Sequence, residues 1–296
     1  MLHALTLVSP TGSEALASAR RAAIDVLGMV PGSETVLSPG KALDLAFSGA
    51  DDEVQRGALS AALGGFPVDF AWQPALNRRK KLLIADMDST IIGQECLDEL
   101  AVLAGVGEAV AAITERAMAG ELDFEGALKE RVGMIAGLPL SMLQKCFDEV
   151  ITLNSGAKTL LATMKAHGAY SALVSGGFTF FTSRVAHAAG FDENRANRLL
   201  DDGATLTGQV AMPILGRAAK AETMAELLGA RRLSPADALA VGDGANDLAM
   251  IEAAGLGVAF HAKSVVAARA DARVTTGDLT SLLYFQGYLE LDFISA

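Results

Sequence analysis

The chain has 296 residues, of which 51% are hydrophobic and 20% are charged, a balance typical of a folded globular protein that excludes a disordered one. This length suffices for one large core or for two domains. A formal net charge of -11 and an aromatic content of 5% argue against a nucleic-acid-binding protein, which needs a basic face and stacking side chains.

Residues 1–75 are predicted to form a small α/β unit. The patterns indicate a strand, a helix that ends at a glycine, two short strands around Pro39-Gly40, a second helix and a last strand. The corresponding stretches are LTLVS, GSEALASARRAAIDVLG, ETVLSPGKALDLAFSG, DDEVQRGALSAALGG and PVDFAWQP. The order βαββαβ predicts a ferredoxin-like α+β sandwich. We interpret Asn77–Lys81 as a polar linker to the rest of the chain.

A second unit begins at KLLIAD, a short continuous apolar run that is typical of a buried parallel strand. Helical patterns fill most of 94–150, which is too long for one crossover between strands. We therefore predict a helical cap at 94–154, inserted into a core formed by 81–93 and 155–287.

In this core, strands alternate with helices, which predicts a doubly wound, Rossmann-like parallel sheet. A hairpin around Thr207-Gly208 is expected to interrupt the alternation. The later strands are AYSALV, ALAVGD, LGVAF and ARVTT, with helices near 156–167, 178–189, 218–229, 246–254, 262–270 and 278–285.

Acidic residues follow two strands of the predicted sheet. Asp86 and Asp88 end the first core strand, and Gly242–Asp247 supplies Asp243 and Asp247 after another. Each cluster alone is also compatible with a solvated loop or a turn. Because the carboxyl ends of parallel strands share one edge, the two clusters together favour a divalent cation, with oxygen ligands that suit Mg²⁺.

Two further features are compatible with anion binding. Ser175-Gly176-Gly177 offers a hydroxyl and free N–H groups before a helix, although such a turn often has no ligand. Lys220 lies on the apolar face of a helix with Met224 and Leu227. It either extends its ammonium to solvent or points it at a bound phosphate.

The motifs D-M-D-S-T, S-G-G, a lone lysine and G-D-G-A-N-D, in this order, resemble the haloacid dehalogenase superfamily of phosphatases over about residues 81–285. The first motif followed by Glu95, with Phe124 and Arg131 in the cap, is similar to the phosphoserine phosphatase branch. The N-terminal unit resembles the ACT-like domain that precedes such enzymes in some bacteria.

The resemblance implies a covalent mechanism. Asp86 would be the nucleophile, and Asp88 would be the general acid for the leaving serine and then the base for water. Mg²⁺ would be bound by Asp86, the backbone carbonyl of Asp88, and Asp243, while Asp247 would support it indirectly. The raised pKa that Asp88 needs is expected to come from nearby carboxylates.

The resemblance also implies a set of substrate contacts. Ser175, the N–H of Gly176, and Lys220 would hold phosphate oxygens, and Asn246 would help to position the phosphate region.

The cap residues are expected to recognise the amino acid. Phe124, Leu128 and Arg131 share one helix face, so Arg131 is predicted to point toward the site and to pair with a substrate carboxylate. Glu95 would pair with the ammonium, and Phe124 would shield the site from water. The simpler alternatives are a surface arginine, an acid in the first turn of a helix, and a core phenylalanine.

Location and assembly are less constrained. The chain has two cysteines, Cys96 and Cys146, which lie far apart and form no C-x-x-C motif. This count excludes a disulfide scaffold, and two small buried thiols are expected. The N-terminus has no basic leader, and no apolar stretch reaches the roughly 18 residues of a membrane span. We expect a cytoplasmic protein with no membrane partner. A homodimer is an open option, since ACT-like domains often mediate dimers.

The resemblance implies hydrolysis of O-phospho-L-serine, the last step of serine biosynthesis, in a Mg²⁺-dependent reaction. The alternatives are a related phosphatase or phosphotransferase with another small phosphomonoester, and an amino-acid sensor with an inert core. An inert core is expected to have lost Asp86 or Asp88, and both are present.

Overall fold

The structure, a computed structural model, describes residues 1–29, 34–49, 52–118 and 121–295. The strands in these ranges are β1 (Leu2–Val8), β2 (Glu34–Ser38), β3 (Ala42–Ser48), β4 (Asp69–Pro74), β5 (Leu82–Ala85), β6 (Tyr170–Phe178), β7 (Glu193–Asn197), β8 (Leu199–Asp201), β9 (Leu206–Val210), β10 (Ala238–Gly242), β11 (Leu256–Phe260) and β12 (Ala272–Val274). The helices are α1 (Ser13–Leu27), α2 (Glu53–Leu63), α3 (Cys96–Leu103), α4 (Gly107–Met118), α5 (Phe124–Met134), α6 (Leu140–Glu149), α7 (Ala157–Ala166), α8 (Thr179–Ala189), α9 (Ala219–Arg231), α10 (Leu248–Ala253), α11 (Ser264–Ala267) and α12 (Ser281–Phe285).

The N-terminal unit has the expected element order βαββαβ, with the antiparallel strand order β2-β3-β1-β4. Its core includes Leu5, Leu45, Leu59 and Trp72, which are all buried. Strand β1 is buried at all but its first position, including the polar His3 and Thr6, so it does not show the alternation of a half-exposed strand. The finer resemblance to an ACT-like domain remains a prediction.

The predicted parallel sheet of the core is confirmed. Its strands run in the order β12-β11-β10-β5-β6-β7, and each neighbouring pair is parallel. Every residue of β5 and β10 is buried because helices cover both faces of the sheet. The carboxyl ends of β5, β6 and β10 are therefore adjacent, as the sequence predicts.

The two sheets are joined edge to edge. Strand β4 pairs antiparallel with β12, so that Ala71 faces Ala272 and Phe70 faces Arg273. The buried carboxylate of Asp69 accepts hydrogen bonds from the backbone N–H groups of residues 275–277, just after β12. The N-terminal unit and the core thus share one continuous sheet.

The segment 77–81, predicted to be a polar linker, is exposed at three positions, but Arg78 and Lys80 bind to both units that it joins. The guanidinium of Arg78 donates to Asp44 in the N-terminal unit and to the carbonyl of Phe285 in the core. Lys80 is only 7% exposed and donates to the carbonyl of Ala236. Both cations fill polar gaps at the junction, where a charge is tolerated only if it is hydrogen-bonded.

Local patterns misplaced three elements. The β8–β9 turn lies at 202–205, where the carboxylate of Asp202 accepts from the N–H groups of Ala204 and Thr205, and Thr207-Gly208 lies within β9. A Cβ at Gly208 would lie 2.7 Å from Ala136 Cβ, so this glycine permits close packing against the cap.

Two further elements differ from the predictions. Strand β7 was not predicted because its sequence ENRAN is polar. The helix expected at 262–270 is shorter and consists of α11 alone.

Helices α3–α6 lie between β5 and α7, in the segment predicted to be an inserted cap, and we keep that name for them. Buried residues of the cap, such as Leu100, Leu128 and Val132, belong to the same hydrophobic cluster as strand residues Leu83 and Val241. Across the residues that the structure describes, no helix is long and apolar enough to cross a membrane.

Candidate active site

The D-M-D-S-T motif forms a tight turn at the end of β5. Asp88 is extended (φ -67, ψ 138), and Ser89 is left-handed (φ 55, ψ 5), which is uncommon for a residue with a side chain. The amide of Asn154 donates to the carbonyl of Thr90, so a second segment fixes the turn. The turn therefore places the carboxylates of Asp86 and Asp88 in different surroundings.

Lys220 joins two of the carboxylates. Its Nζ lies 2.8 Å from Asp86 Oδ2 and 2.5 Å from Asp247 Oδ1, and all three side chains are buried. Burial alone would lower the pKa of Lys220, but Asp86 and Asp247 raise it above its ordinary value. The first turn of α9 therefore places a permanent positive charge beside Asp86.

Asp247 supports the G-D-G-A-N-D loop from within. Its Oδ2 accepts from the N–H groups of Asp243 and Gly244, at 3.1 and 3.0 Å. A Cβ at Gly242 would lie 2.4 Å from the Asp247 carboxyl, so only glycine fits there. Both Asp247 oxygens are thus already engaged by the protein.

The carboxylates of Asp86, Asp243 and Asp247 form a cluster whose potential ligand atoms lie within 4.8 Å of one another. Burial is the largest cause that raises the pKa of Asp86 and of Asp243, and Asp247 raises both further while Lys220 opposes it. One ammonium does not balance these carboxylates. The oxygen donors and the excess negative charge fit a hard divalent cation such as Mg²⁺.

Asp88 lies outside that cluster and is held differently. Its Oδ1 accepts from the N–H of Cys96 at 2.8 Å, and its Oδ2 accepts from Ser175 Oγ at 3.0 Å. Burial raises the pKa of Asp88, and the hydrogen bonds from Cys96 and Ser175 oppose this rise. The raised pKa is as predicted, but its main cause is burial rather than neighbouring carboxylates.

The S-G-G motif forms an open cradle at the end of β6. Gly177 N–H donates to Ser175 Oγ at 2.8 Å, and Asn197 Nδ2 donates to the carbonyl of Gly176 at 2.8 Å. A Cβ at Gly177 would lie 3.1 Å from Asp88 Oδ2, so the strand end approaches that carboxylate closely.

The cap closes over this cradle through Phe124. A Cβ at Gly176 would lie 3.1 Å from the ring of Phe124. A small cavity remains between cap and core, and the residues around it are Phe124, Val174, Ser175, Gly176, Leu215, Gly216, Arg217, Ala219, Lys220 and Asn246. Five predicted substrate-binding residues therefore share one cavity.

Glu95 and Arg131 are not among the residues around this cavity. Glu95 is exposed and accepts from Ser89 Oγ at 2.7 Å. Desolvation beside the site, followed by the charge of Asp88, raises its pKa to about 7. Arg131 is half-buried and donates to the carbonyl of Ala127 in its own helix at 3.4 Å.

Sequence reasoning missed three residues of the site. Thr90 Oγ1 donates to Asp243 Oδ1 at 3.3 Å, and its place in D-M-D-S-T was the available signal. Asn197 is 2% exposed and binds both Gly176 and the N–H of Leu215, but nothing in its polar strand indicates this role. Arg217 borders the cavity, and its proximity to Lys220 was its only signal.

Comparisons with known proteins agree with the resemblance that the motifs indicate. The family model for haloacid dehalogenase-like hydrolases matches residues 83–252. A phosphoserine phosphatase from Archaeoglobus fulgidus is 43% identical over 217 residues, which are 73% of this chain and 63% of that relative. The chain spans under two thirds of the length of this and the two relatives that follow it in similarity.

Solved structures are also similar. A HAD family hydrolase from Salmonella enterica serovar Typhi superposes with a TM-score of 0.86 at 28% identity, over 97% of this chain and 99% of that one. A substrate-bound phosphoserine phosphatase complex superposes with a TM-score of 0.65 at 37% identity, over 70% of this chain and 98% of that one. The first likeness includes the N-terminal unit, and the second is confined to a smaller part of the chain.

Proposed function

Because this chain belongs to the haloacid dehalogenase-like hydrolases, we propose that it hydrolyses a small phosphomonoester through Asp86, with O-phospho-L-serine as its substrate. The observation that carries the proposal is the pairing of Asp86 with Lys220 beside the cradle of Ser175 and Gly176. A nucleophile, a fixed cation and an anion cradle are thereby adjacent.

In the first step, a carboxylate oxygen of Asp86 attacks phosphorus, and the bond from phosphorus to the serine oxygen breaks. Lys220, Ser175 and the N–H of Gly176 hold the phosphoryl oxygens, and Asn246 completes this side. Asp88 gives its proton to the departing serine oxygen. Its raised pKa, caused by burial, suits an acid that holds a proton near neutrality.

In the second step, Asp88 takes a proton from water, which attacks phosphorus and releases Asp86 and phosphate. Splitting the hydrolysis into two displacements lowers each barrier. Mg²⁺, when bound by Asp86, Asp243 and the backbone carbonyl of Asp88, would neutralise charge on the phosphoryl group. Asp247 would support it indirectly, since its oxygens already bind Lys220 and the loop.

The amino-acid part of the substrate is assigned to the cap side. Glu95 would pair with the ammonium and Arg131 with the carboxylate, while Phe124 would cover the phosphoryl group. This assignment is supported by the position of Phe124 on Gly176 and of Glu95 beside Asp88. A cytoplasmic location, consistent with the two free buried cysteines, is part of the proposal.

A related phosphatase or phosphotransferase with another substrate would use the same core. The test is phosphate release from phosphorylated metabolites, including O-phospho-L-serine, O-phospho-L-threonine and phosphoethanolamine, in metal-free buffer and with Mg²⁺ or Ca²⁺. We expect turnover with Mg²⁺, highest for O-phospho-L-serine. Ca²⁺ should inhibit, because it often takes a carboxylate bidentately and would occupy the Asp86 oxygen needed for attack.

Two results would count against the proposal. Preference for an ester without both ammonium and carboxylate would favour the related phosphatases. An absence of turnover under every condition would favour an amino-acid sensor with an inert core.

A further inference from the structure

Arg217 is a cation at the active-site cavity that no motif predicts. It lies on the loop before α9, three residues ahead of Lys220, and borders the same cavity as Ser175, Gly176 and Asn246. The N–H of Ala219 donates to the carbonyl of Gly216 at 3.1 Å, so a hydrogen-bonded turn fixes the backbone at Arg217. The loop therefore presents Arg217 and Lys220 to one space.

The side chain of Arg217 is exposed, and it has no hydrogen bond or ion pair to any residue in the described part of the chain. By contrast, Arg78 is paired with Asp44 and Arg195 with Glu226. An arginine without a carboxylate partner beside an anion cradle is available to an anionic ligand.

We propose that Arg217 binds the phosphoryl group of the substrate, receiving it at the cavity mouth and holding an oxygen that faces away from Asp86. This inference rests on the proposed phosphatase function and adds to it a substrate-binding residue. A guanidinium matches phosphate oxygens with two parallel N–H donors. Because it is exposed, it also offsets at short range the field that an acidic protein exerts on an anion.

The proposal distinguishes Arg217 from the predicted cap residues. Glu95 and Arg131 are assigned to the amino-acid part of the substrate, which simple esters lack. Arg217 is assigned to the phosphoryl group, which every substrate and the product share. Loss of Arg217 should therefore weaken the binding of O-phospho-L-serine, p-nitrophenyl phosphate and inorganic phosphate to a similar extent.

The experiment compares Arg217→Ala and Arg217→Lys with the full-length wild-type chain in Mg²⁺. The control is Arg21→Ala, which removes the same charge from an exposed position in α1, where the described polar contact of Arg21 is Ser18. KM and kcat are measured for both esters at low and high salt, together with the inhibition constant of inorganic phosphate.

For Arg217→Ala we expect both KM values and the inhibition constant to rise by about five- to twenty-fold, with less than about a twofold change in kcat. Arg217→Lys should recover part of the loss, and high salt should narrow the difference from wild type. Arg21→Ala should match wild type.

Three results would overturn the proposal. The first is that Arg217→Ala leaves both KM values and the inhibition constant unchanged. The second is a rise in KM for O-phospho-L-serine alone, which would assign Arg217 to the amino-acid part of the substrate. The third is a fall in kcat with no change in KM. If wild type cleaves p-nitrophenyl phosphate but not O-phospho-L-serine, the proposed substrate is wrong, yet the p-nitrophenyl phosphate and inorganic phosphate measurements still decide the role of Arg217.

Discussion

The proposed active site has two ends, one assigned to the phosphoryl group and one to the amino-acid part of the substrate, and they are built differently. At the phosphate end, Asp86, Lys220 and Asp247 are buried, follow strands or begin a helix, and bond to one another. At the amino-acid end, Glu95 and Arg131 are exposed or half-buried, and their described hydrogen bonds are to Ser89 and a backbone carbonyl.

This contrast separates chemistry from specificity. The phosphate end is fixed by the sheet before any ligand arrives, which is the condition for electrostatic catalysis. The amino-acid end depends on where the cap helices place long side chains. Substitution of Asp86, Asp88 or Lys220 should therefore lower the turnover of every substrate, whereas substitutions at the amino-acid end should change the choice of substrate.

The largest effect is expected for Asp86→Asn. An amide keeps the shape and can still accept a hydrogen bond, but it cannot form an acyl phosphate, so turnover of all esters should fall by about 10⁴-fold or more. Single-turnover assays measure the loss, and circular dichroism checks the fold. Wild-type turnover in this variant would exclude the covalent mechanism.

Asp88→Asn should be the next most damaging. The amide keeps its place between Cys96 and Ser175 but can neither protonate the leaving oxygen nor activate water, which should lower kcat by about 10²–10⁴-fold. The loss should be smaller with p-nitrophenyl phosphate, whose leaving group needs less protonation. An equal loss with both esters would mean that activation of water dominates.

At the amino-acid end, Arg131→Ala and Glu95→Gln should raise KM for O-phospho-L-serine. The expected cost in kcat/KM is about 2–5 kcal/mol if the pairs are desolvated. Neither change should affect p-nitrophenyl phosphate, and Lys129→Ala on the exposed side of α5 is the matched control. If kcat/KM falls equally for both esters, these residues support the fold, and the distinction between the two ends disappears.

The smallest effect concerns stability without metal. The pKa of Glu95 is raised to about 7 from 4.5, so between these values the folded state binds a proton that the unfolded state has released. The stability contribution of Glu95 therefore falls as pH rises toward 7. Because Glu95 is exposed, solvent screening reduces the effect to about 1 kcal/mol.

Glu95→Gln should accordingly stabilise the metal-free protein at pH 8 and have little effect at pH 4, below the unfolded pKa, as measured by urea unfolding. Glu115→Gln, at an exposed position in α4, is the control and should show no such difference between the two pH values. Equal stabilisation by Glu95→Gln at both pH values would show that ionisation of Glu95 is not the cause.

The sequence predicted that the carboxylates of Asp86 and Asp243 lie close together because both follow parallel strands. Once KLLIAD and ALAVGD are assigned as neighbouring strands, Asp86 and Asp243 must share an edge. Asn197 and Arg217 lie on a polar strand and on a loop, where no periodicity constrains a side chain. Position along the chain therefore predicts the residues anchored to strand ends and fails for those that tertiary packing brings in.

The N-terminal unit illustrates the same limit. Its own elements follow from local patterns, but the pairing of β4 with β12 does not, since neither strand carries a mark of its partner. The stretch Asn77–Lys81 was interpreted as a polar linker. The hydrogen bonds of Arg78 and Lys80 depend on acceptors such as Asp44 and the carbonyl of Ala236, which come from distant parts of the chain.

The pairing of β4 with β12 also bears on solubility. A strand at the end of a sheet exposes unpaired backbone groups that can template association with another chain. Joining the two sheets removes one such border from each, and leaves β2 and β7 as the outer strands of the combined sheet. A core separated from its first 75 residues would expose β12, and we expect it to associate with other copies more readily than the whole chain does.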